Sequence, residues 1–331
     1  MMRLTVVGAG SWGSALASVL ADNGHHVTLW AREAEVAEEV NRHGTNRAFL
    51  PEVAFRGEVT AMTDLGAALS EADLAVSAVP AQFVTGLWEG GIDALPRDAV
   101  VVSASKGIEI GSLRRMQEIF ESLRPGGRFA AISGPSFASE VARRYPTLVV
   151  AASDDAEVAR TVQALFRNRY FRVYTNPDVI GVELGGALKN VMALATGVTD
   201  GLGLGHNTRA ALITRGLAEI TRLGVALGAR AETFAGLAGL GDLVLTCTGD
   251  LSRNRTVGYR LGRGEALDAI LGEMRAVAEG VKTVRAVRHL AHREGVEMPI
   301  VEEVHAILVD GRDPRTALEQ LMARDPTSEI G

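Results

Sequence analysis

A glycine-rich turn near the N-terminus constrains the fold more than any other feature of the sequence. Residues 4–7 form a short apolar run typical of a strand, residues 14–23 have helical composition, and residues 27–30 predict a second strand. The turn between strand and helix reads Gly8-Ala9-Gly10-Ser11-Trp12-Gly13. A strand, a glycine turn, a helix and a second strand within about thirty residues are typical of a fold that binds the pyrophosphate of a dinucleotide.

Each position of this turn has a physical reason. Gly8 permits a tight turn, Gly10 lets the backbone approach a pyrophosphate, and Gly13 allows the helix to pack closely on the strand. The amides of Ser11, Trp12 and Gly13 would then face the phosphates, with the helix dipole behind them. The alternative is a glycine turn that holds no ligand.

Arg32 follows the second predicted strand, where the ribose of a dinucleotide would lie. Folds specific for NAD usually place Asp or Glu there, whereas arginine suits the 2′-phosphate of NADP. Because Glu33 comes only after Arg32, we expect NADP to bind at least as well as NAD. The alternative is an exposed arginine that opens the next helix.

Strand and helix patterns alternate as far as about residue 175. Strands are predicted at residues 74–79, 99–103, 129–132, 148–152 and 171–174, and helices at 112–122 and 155–166. This alternation predicts a mostly parallel, doubly wound sheet, whose ligands lie beyond the carboxyl ends of the strands. Loops at 80–83, 105–107 and 133–137 follow strands at that edge. Lys106 would therefore reach a ligand; without this placement it would be a solvated surface charge.

The strand pattern disappears after about residue 179. Helical runs are predicted at 179–199, 208–228, 266–271, 283–294 and 300–310. We therefore predict a Rossmann-type α/β domain over residues 1–177 and an all-helical domain over 178–331. The boundary falls near Pro177, because proline ends an extended segment and starts helices well.

Lys189 lies in the most apolar of these helical runs. Its neighbours three and four positions away are Gly185, Gly186, Met192 and Ala193, so no ion pair within the helix explains the charge. Such small residues would leave room beside the lysine stem for another chain or a ligand. The alternative is a lysine with a buried stem whose amine reaches water.

Two polar groups stand out further along the chain. Asp242 follows glycines at a bend, where a carboxylate either caps a helix or faces a site. Residues 252–255 read Ser-Arg-Asn-Arg. An arginine guanidinium can bind two phosphate oxygens at once, and neighbouring amides and hydroxyls can complete the site. The alternative for this run is a basic helix start on the surface.

Composition narrows the class of protein. At 331 residues the chain is long enough for roughly two domains. The formal net charge of -6 argues against a nucleic-acid binder without sequence preference, which needs a basic surface. No apolar run reaches the roughly eighteen residues of a membrane span, and the immediate first strand leaves no room for a signal peptide. The single cysteine, Cys247, excludes an internal disulfide, so we expect a cytoplasmic protein.

These motifs together resemble the bacterial-type NAD(P)-dependent glycerol-3-phosphate dehydrogenases. The resemblance covers nearly the whole chain. The matching motifs are the glycine turn at 8–13, Ser-Lys-Gly at 105–107, Gly-Pro-Ser at 134–136, Gly-Leu-Gly-Asp at 239–242 and Ser-Arg-Asn at 252–254. The family signature from Gly-Ala-Leu-Lys-Asn to Asp-Gly-Leu-Gly-Leu-Gly-His-Asn runs without a gap over residues 186–207.

The resemblance implies a role for each matching position. Lys189 looks like the proton donor and acceptor, and Lys106 and Asp242 look like the residues that complete the catalytic centre. All three also belong to the implied substrate contacts, with Gly134, Ser136, Asn190, Thr246, Ser252, Arg253 and Asn254. The implied cofactor contacts are Ser11, Trp12, Arg32, Lys106, Ala138, Arg253, Val277 and Glu279, beside Gly8, Gly10 and Gly13 of the turn.

The implied reaction interconverts sn-glycerol 3-phosphate and dihydroxyacetone phosphate with NADP or NAD, and would supply glycerol 3-phosphate for phospholipid synthesis. A lysine serves as acid and base only if its pKa falls from about 10.4 towards roughly 7–8. Burial and Lys106 would lower the pKa of Lys189, and Asp242 would raise it.

We expect no metal site, because a protonated lysine can stabilise an alkoxide and the histidines and cysteine show no ligand pattern. Two alternatives stay open: a similar dehydrogenase acting on another hydroxy or keto acid, and an NAD(P)-sensing protein without turnover. A homodimer formed through the helical half is a further expectation that no sequence feature requires.

Overall fold

An eight-stranded sheet forms the N-terminal part of the protein. The computed structural model describes residues 2–274, 278–325 and 328. The strands are β1 (Arg3–Val7), β2 (His26–Trp30), β3 (Thr45–Asn46), β4 (Leu50–Ala54), β5 (Val59–Met62), β6 (Leu74–Ser77), β7 (Val100–Ser103), β8 (Phe129–Ser133), β9 (Thr147–Ala152) and β10 (Phe171–Asn176). Their order across the sheet is β10-β9-β8-β7-β6-β1-β2-β5, and β3 and β4 form a separate antiparallel hairpin. Only β8 and β9 pair antiparallel within the large sheet.

Helices cover both faces of this sheet. They are α1 (Ser11–Asp22), α2 (Ala34–His43), α3 (Leu65–Leu69), α4 (Val84–Glu89), α5 (Met116–Leu123), α6 (Ala138–Ala142) and α7 (Ala156–Phe166). Leu4 and Val6 pack into one apolar layer and Val7 into the opposite one. A parallel sheet needs both faces covered, which is why its strands are almost wholly apolar. The predicted Rossmann-type α/β sheet is confirmed.

The parallel strands bring five loops to one edge of the sheet. Strands β1, β2, β6, β7 and β8 all run in the same direction. The loops that follow them, at residues 8–10, 31–33, 78–83, 104–107 and 134–137, therefore meet at their carboxyl ends. This is the edge where the sequence places the ligands.

The C-terminal part is helical, as predicted. Its helices are α8 (Val179–Gly201), α9 (His206–Ala226), α10 (Ala231–Phe234), α11 (Asp242–Thr248), α12 (Arg253–Gly262), α13 (Leu267–Glu273), α14 (Glu279–Arg293), α15 (Pro299–Val309) and α16 (Pro314–Met322), with a π-helical turn at Leu237–Gly241 before α11. The sequence patterns missed the short helices α10, α11 and α16, and the start of α12 was considered only as the alternative for residues 252–255.

One helix in the N-terminal part starts later than predicted. The helix predicted at residues 112–122 starts only at Met116. The residues before it form a loop in which Leu113 has a φ of 58°, a left-handed conformation that interrupts a helix. Glu109 holds this loop by accepting hydrogen bonds from Thr85 and Arg114.

Helix α8 is the core of the helical part. It is buried on all sides, and Asp178 caps its first turn by accepting from the Gly181 amide at 2.9 Å. Among the described residues, α8 is the only unbroken helix that is long and apolar enough to cross a membrane. However, 89% of its most apolar stretch is buried inside the protein. The bent helix pair Ala231–Thr248 and Arg253–Gly262 meets the same test only when the two are counted together. Burial inside the protein explains the apolar composition of α8.

Two sets of contacts join the sheet to the helical part. Ile108, from the loop after β7, is fully buried in the apolar core of the helices. Glu183 on α8 accepts hydrogen bonds from the Arg115 guanidinium at 2.7 Å and the Gln117 amide at 2.8 Å. Burial raises the pKa of Glu183 to about 7, against the opposing effect of Arg115. The predicted domain boundary after residue 177 remains a prediction.

Glycines allow α8 and α12 to touch along their backbones. A Cβ on Gly258 would lie 2.1 Å from the Leu194 carbonyl oxygen, and one on Gly197 would lie 2.1 Å from the Arg255 carbonyl oxygen. Gly201 and Gly262 extend the same contact. The close approach sets the position of α12 relative to the helix that carries Lys189.

We expect Gly258→Ala to destabilise the protein by about 1–3 kcal/mol, because the added methyl group would collide with a backbone that cannot move aside cheaply. The matched control is Gly272→Ala in α13, where a Cβ meets nothing within 4 Å. That change should stabilise by up to about 1 kcal/mol through helix propensity. Chemical denaturation of both variants measures the difference; equal effects would contradict the packing argument.

Candidate active site

The glycine turn after β1 has the shape of a phosphate cradle. Gly8 has a φ of 116°, and a Cβ there would lie 2.9 Å from the Ala78 carbonyl oxygen. A Cβ on Gly13 would lie 1.8 Å from the Gly8 carbonyl oxygen, so α1 packs directly on the turn. A Cβ on Gly10 would meet nothing within 4 Å. Gly10 therefore leaves open space in front of the first turn of α1, whose amides can bind phosphate oxygens.

A hairpin that sequence reasoning missed braces this turn. Asn46 of β3 donates to the Ala9 carbonyl oxygen at 2.8 Å and to Ser14 Oγ at 2.9 Å. Ser11 Oγ donates to the Phe49 carbonyl oxygen at 2.7 Å. These contacts join residues more than thirty positions apart, so no local pattern could have revealed them.

Two predicted cofactor positions are Trp12, within the turn, and Arg32, in the loop after β2. The Trp12 indole nitrogen is buried and has no hydrogen-bond partner in the described part of the chain. Arg32 is exposed at the end of β2, and its Nε donates to Glu33 at 2.9 Å. The guanidinium is therefore accessible where a ribose 2′-phosphate would lie, although Glu33 competes for it.

Asp242 holds both lysines of the predicted catalytic centre. Lys106 Nζ lies 2.7 Å from Asp242 Oδ2 and also donates to the Gly134 carbonyl oxygen at 3.1 Å. Lys189 Nζ donates to Asp242 Oδ1. All three groups are largely buried. Asp242 thus does not cap a helix with its side chain, and Lys189 does not reach out to water; both of these alternatives are wrong.

The surroundings lower the pKa of Lys189 to about 8. Burial is the largest cause, because a charged amine loses its hydration. Asp242 raises the pKa of Lys189, and the positive charge of Lys106 lowers it. With both lysines protonated, the cluster carries one net positive charge, which favours an anion or a developing oxyanion.

Other parts of the chain fill the space beside the small residues around Lys189. The prediction that this space holds a ligand is therefore corrected. A Cβ on Gly185 would lie 2.4 Å from the Ala238 carbonyl oxygen. A Cβ on Gly186 would lie 2.7 Å from Ser133 Oγ and 3.5 Å from Lys106 Cγ. The glycines therefore let the π-helical turn and the strand β8 approach α8. This is how Lys106 and Asp242 come within reach of Lys189.

The predicted phosphate-binding run forms the start of α12. Ser252 caps this helix by accepting from the Arg255 amide at 3.3 Å. Arg253 is exposed, and it has no ion-pair partner in residues 2–274, 278–325 and 328. Asn254 is buried, donates to Asn190 Oδ1 at 2.9 Å and accepts from the Gly280 amide at 2.9 Å.

The remaining predicted site residues lie around this centre. Thr246 donates to the Asp242 carbonyl oxygen at 2.6 Å, and Ser136 donates to the Gly134 carbonyl oxygen at 2.9 Å. Ala138 begins α6. Val277 lies outside the described residues.

Glu279 at the start of α14 lines a small cavity with Lys106 and the loop at residues 80–83. Burial raises the pKa of Glu279, while Arg253 and both lysines oppose that rise. Lys282 of the same helix lies over the Phe83 ring at 5.6 Å, a contact that sequence reasoning did not find. In the described ranges, no group of three or more His, Cys, Asp or Glu side chains could hold a metal.

Comparison with known proteins decides the family. Residues 3–159 match the family described as NAD-dependent glycerol-3-phosphate dehydrogenase N-terminus, and residues 178–319 match the corresponding C-terminus. The chain belongs to this family.

Individual relatives match this chain over nearly their whole length. Glycerol-3-phosphate dehydrogenase (NAD(P)+) of Geobacter sulfurreducens is 54% identical over 330 residues, covering 99% of this chain and 98% of that protein. The enzyme of the same name from Citrifermentans bemidjiense is 52% identical with the same coverage. The crystal structure of glycerol-3-phosphate dehydrogenase from Coxiella burnetii has a TM-score of 0.93 at 40% identity, and the match covers 98% of this chain and 99% of that one.

Membership of the glycerol-3-phosphate dehydrogenase family agrees with the architecture of the site. The glycine turn follows β1 of the sheet, and residues 252–255 form the start of α12. The lysine–carboxylate cluster joins Lys106 from the loop after β7 to Lys189 on α8 and Asp242 on α11. Residues from both parts of the chain therefore meet at the two lysines.

Proposed function

We propose that the protein catalyses the interconversion of sn-glycerol 3-phosphate and NAD(P)+ with dihydroxyacetone phosphate, NAD(P)H and a proton. The observation that carries this proposal is the Asp242 carboxylate, which holds Lys106 and Lys189 together at the carboxyl edge of a dinucleotide-binding sheet. We further propose a cytoplasmic enzyme that supplies glycerol 3-phosphate for phospholipid synthesis.

The chemical step needs a hydride on the carbonyl carbon and a proton on its oxygen. When bound, the nicotinamide supplies the hydride. Protonated Lys189 gives its proton to the carbonyl oxygen, and neutral Lys189 takes it back from the hydroxyl in the oxidation. Lys106, fixed by Asp242 and the Gly134 carbonyl oxygen, stabilises the developing alkoxide.

Binding is divided between the two parts of the chain. The amides at the start of α1 would hold the pyrophosphate, and Arg32 would meet a 2′-phosphate, so NADP and NAD are both accepted. Arg253 and the first turn of α12 would hold the substrate phosphate. We propose residues 1–177 and 178–331 as the two domains and a homodimer as the assembly, which light scattering of the purified protein would test.

The direct test is NADPH oxidation, followed by absorbance, with dihydroxyacetone phosphate as the substrate. Turnover is expected with NADPH and NADH, and the ratio of kcat/KM for the two measures the contribution of Arg32. If the protein only binds the cofactor without turnover, calorimetry will show cofactor binding and the NADPH absorbance will not change.

Arg253→Ala separates this substrate from an unphosphorylated hydroxy or keto acid. We expect the KM for dihydroxyacetone phosphate to rise by about 10²–10³-fold, because one partner of a charge-assisted contact is lost. The KM for NADPH should change much less. An unchanged KM for dihydroxyacetone phosphate would contradict the role of Arg253 in binding the substrate phosphate and would favour an unphosphorylated hydroxy or keto acid as the substrate.

The pH dependence should have opposite signs in the two directions. Reduction needs protonated Lys189, so its kcat/KM should fall as pH rises through about 8. Oxidation needs neutral Lys189 and should therefore rise through the same pH. A lysine with the ordinary pKa would move both transitions above about pH 10. Profiles measured in both directions decide between these outcomes.

A further inference from the structure

The two arginines in the first turn of α12 have opposite surroundings. Arg253 is exposed and has no ion pair within the described ranges. The Arg255 guanidinium is held between two carboxylates, with Nε at 2.9 Å from Asp200 Oδ2 and Nη1 at 2.9 Å from Asp250 Oδ1. Only one of the two guanidiniums is therefore available to an anion.

The two carboxylates differ in their exposure to solvent. The Asp250 side chain is 97% exposed, so water and salt screen its interaction with Arg255. The Asp200 side chain is 7% exposed and also accepts from Arg209 Nε at 3.0 Å and Nη2 at 2.6 Å. A buried carboxylate that accepts from two guanidiniums is held in one position.

Asp200 connects the two helices that carry the site. It lies in the last turn of α8, three turns after Lys189, and Arg255 is two residues after Arg253. The Arg255 amide also donates to Ser252, which starts α12. Movement of Arg255 would therefore displace the first turn of α12 relative to the lysine–carboxylate cluster.

We propose that Asp200 is a positioning residue for the substrate phosphate. It neutralises Arg255 and fixes the start of α12, so that Arg253 alone faces the phosphate at a set distance from Lys189. This inference rests on the proposed function, because it names how the substrate of that reaction is held.

The test compares Asp200→Asn with Asp250→Asn. Each change removes the charge of one carboxylate that pairs with Arg255. We expect Asp200→Asn to raise the KM for dihydroxyacetone phosphate by about 10–100-fold, since misplacement by about 1 Å costs on the order of 10². The KM for NADPH should change much less, and the pH midpoint set by Lys189 should stay unchanged. Asp250→Asn should behave as the wild type, and Asp200→Glu should recover part of the loss.

Two further measurements distinguish positioning from a general loss of structure. Activity with dihydroxyacetone, which lacks the phosphate, should be the same in Asp200→Asn and the wild type. In an Arg253→Ala background, Asp200→Asn should add little, because the group it positions is gone. If Asp200→Asn yields no folded protein, Arg255→Lys removes the same fork and is measured in its place.

The contrary results are specific. Equal losses with dihydroxyacetone and its phosphate, or an undiminished effect in the Arg253→Ala background, would overturn the positioning role. So would identical behaviour of the Asp200 and Asp250 variants. A wild type with no NADPH oxidation would instead overturn the proposed function, and the inference would fall with it.

Discussion

Lys189→Ala is expected to lower kcat/KM for dihydroxyacetone phosphate reduction by about 10⁴-fold. Loss of a general acid alone costs about 10²–10⁴-fold, and loss of a charge that stabilises the alkoxide adds to this. Lys189 is buried against Asp242, and the one other amine there, Lys106, is already held by Asp242 and Gly134. No described group is therefore placed to replace it.

The measurement is steady-state kinetics in both directions, with NADPH binding as the internal control. Lys189→Met keeps most of the buried stem, and it should show the same loss of activity with less change in thermal stability. Lys189→Arg keeps a positive charge that does not titrate near neutral pH, and it should remain strongly impaired. A loss of less than about tenfold in Lys189→Ala would contradict the acid–base role.

Asp242→Asn should also have a large effect, a loss of reduction activity of about 10²–10³-fold at neutral pH. Asp242 is the group that raises the pKa of Lys189 against burial and Lys106. Without the carboxylate, the pKa of Lys189 falls further below about 8, so less of the acid form is present for reduction. The two amines also lose the group that holds them in place.

The pH profile identifies the cause of this loss. In Asp242→Asn the midpoint for reduction should move to lower pH, and activity should partly recover as pH falls. Removing one partner of a buried ion pair costs about 3–5 kcal/mol of stability, less where the lysine responds by losing its proton. The exposed Asp250→Asn is the control for a lost charge. An unshifted midpoint would contradict the proposed influence of Asp242 on Lys189.

Local patterns were sufficient for most of the architecture. The turn at residues 8–13 predicted a dinucleotide-binding sheet because the positive φ of Gly8 and the contact of Gly13 with the Gly8 carbonyl oxygen both lie within the motif itself. The edge where Lys106 lies followed from parallel strands, since their carboxyl ends must meet. The start of the helix predicted at residues 112–122 was wrong, because composition there favours helix from residue 112, whereas a left-handed Leu113 delays the start to Met116.

The surroundings of Lys189 could not be derived in this way. Its glycine neighbours predicted free space, yet Gly185 and Gly186 are occupied by the π-helical turn and by β8. A glycine permits a close approach, and the sequence does not say whether protein, a ligand or nothing makes it. The brace from Asn46 to the glycine turn was missed for a similar reason, because its partners lie on other elements.

By itself, the sequence determined the class of fold, the cradle for a dinucleotide and, through the uninterrupted motif at residues 186–207, the resemblance that named the reaction. Only the tertiary structure decided that Asp242 holds Lys106 and Lys189, which are separated from it by 136 and 53 positions. The helix pattern depends on neighbours three and four positions away, whereas the pKa of a lysine depends on burial and on charges brought near by packing. That is why the sequence could name burial, Lys106 and Asp242 as influences on the pKa of Lys189, whereas their balance, a pKa of about 8, depends on the tertiary structure.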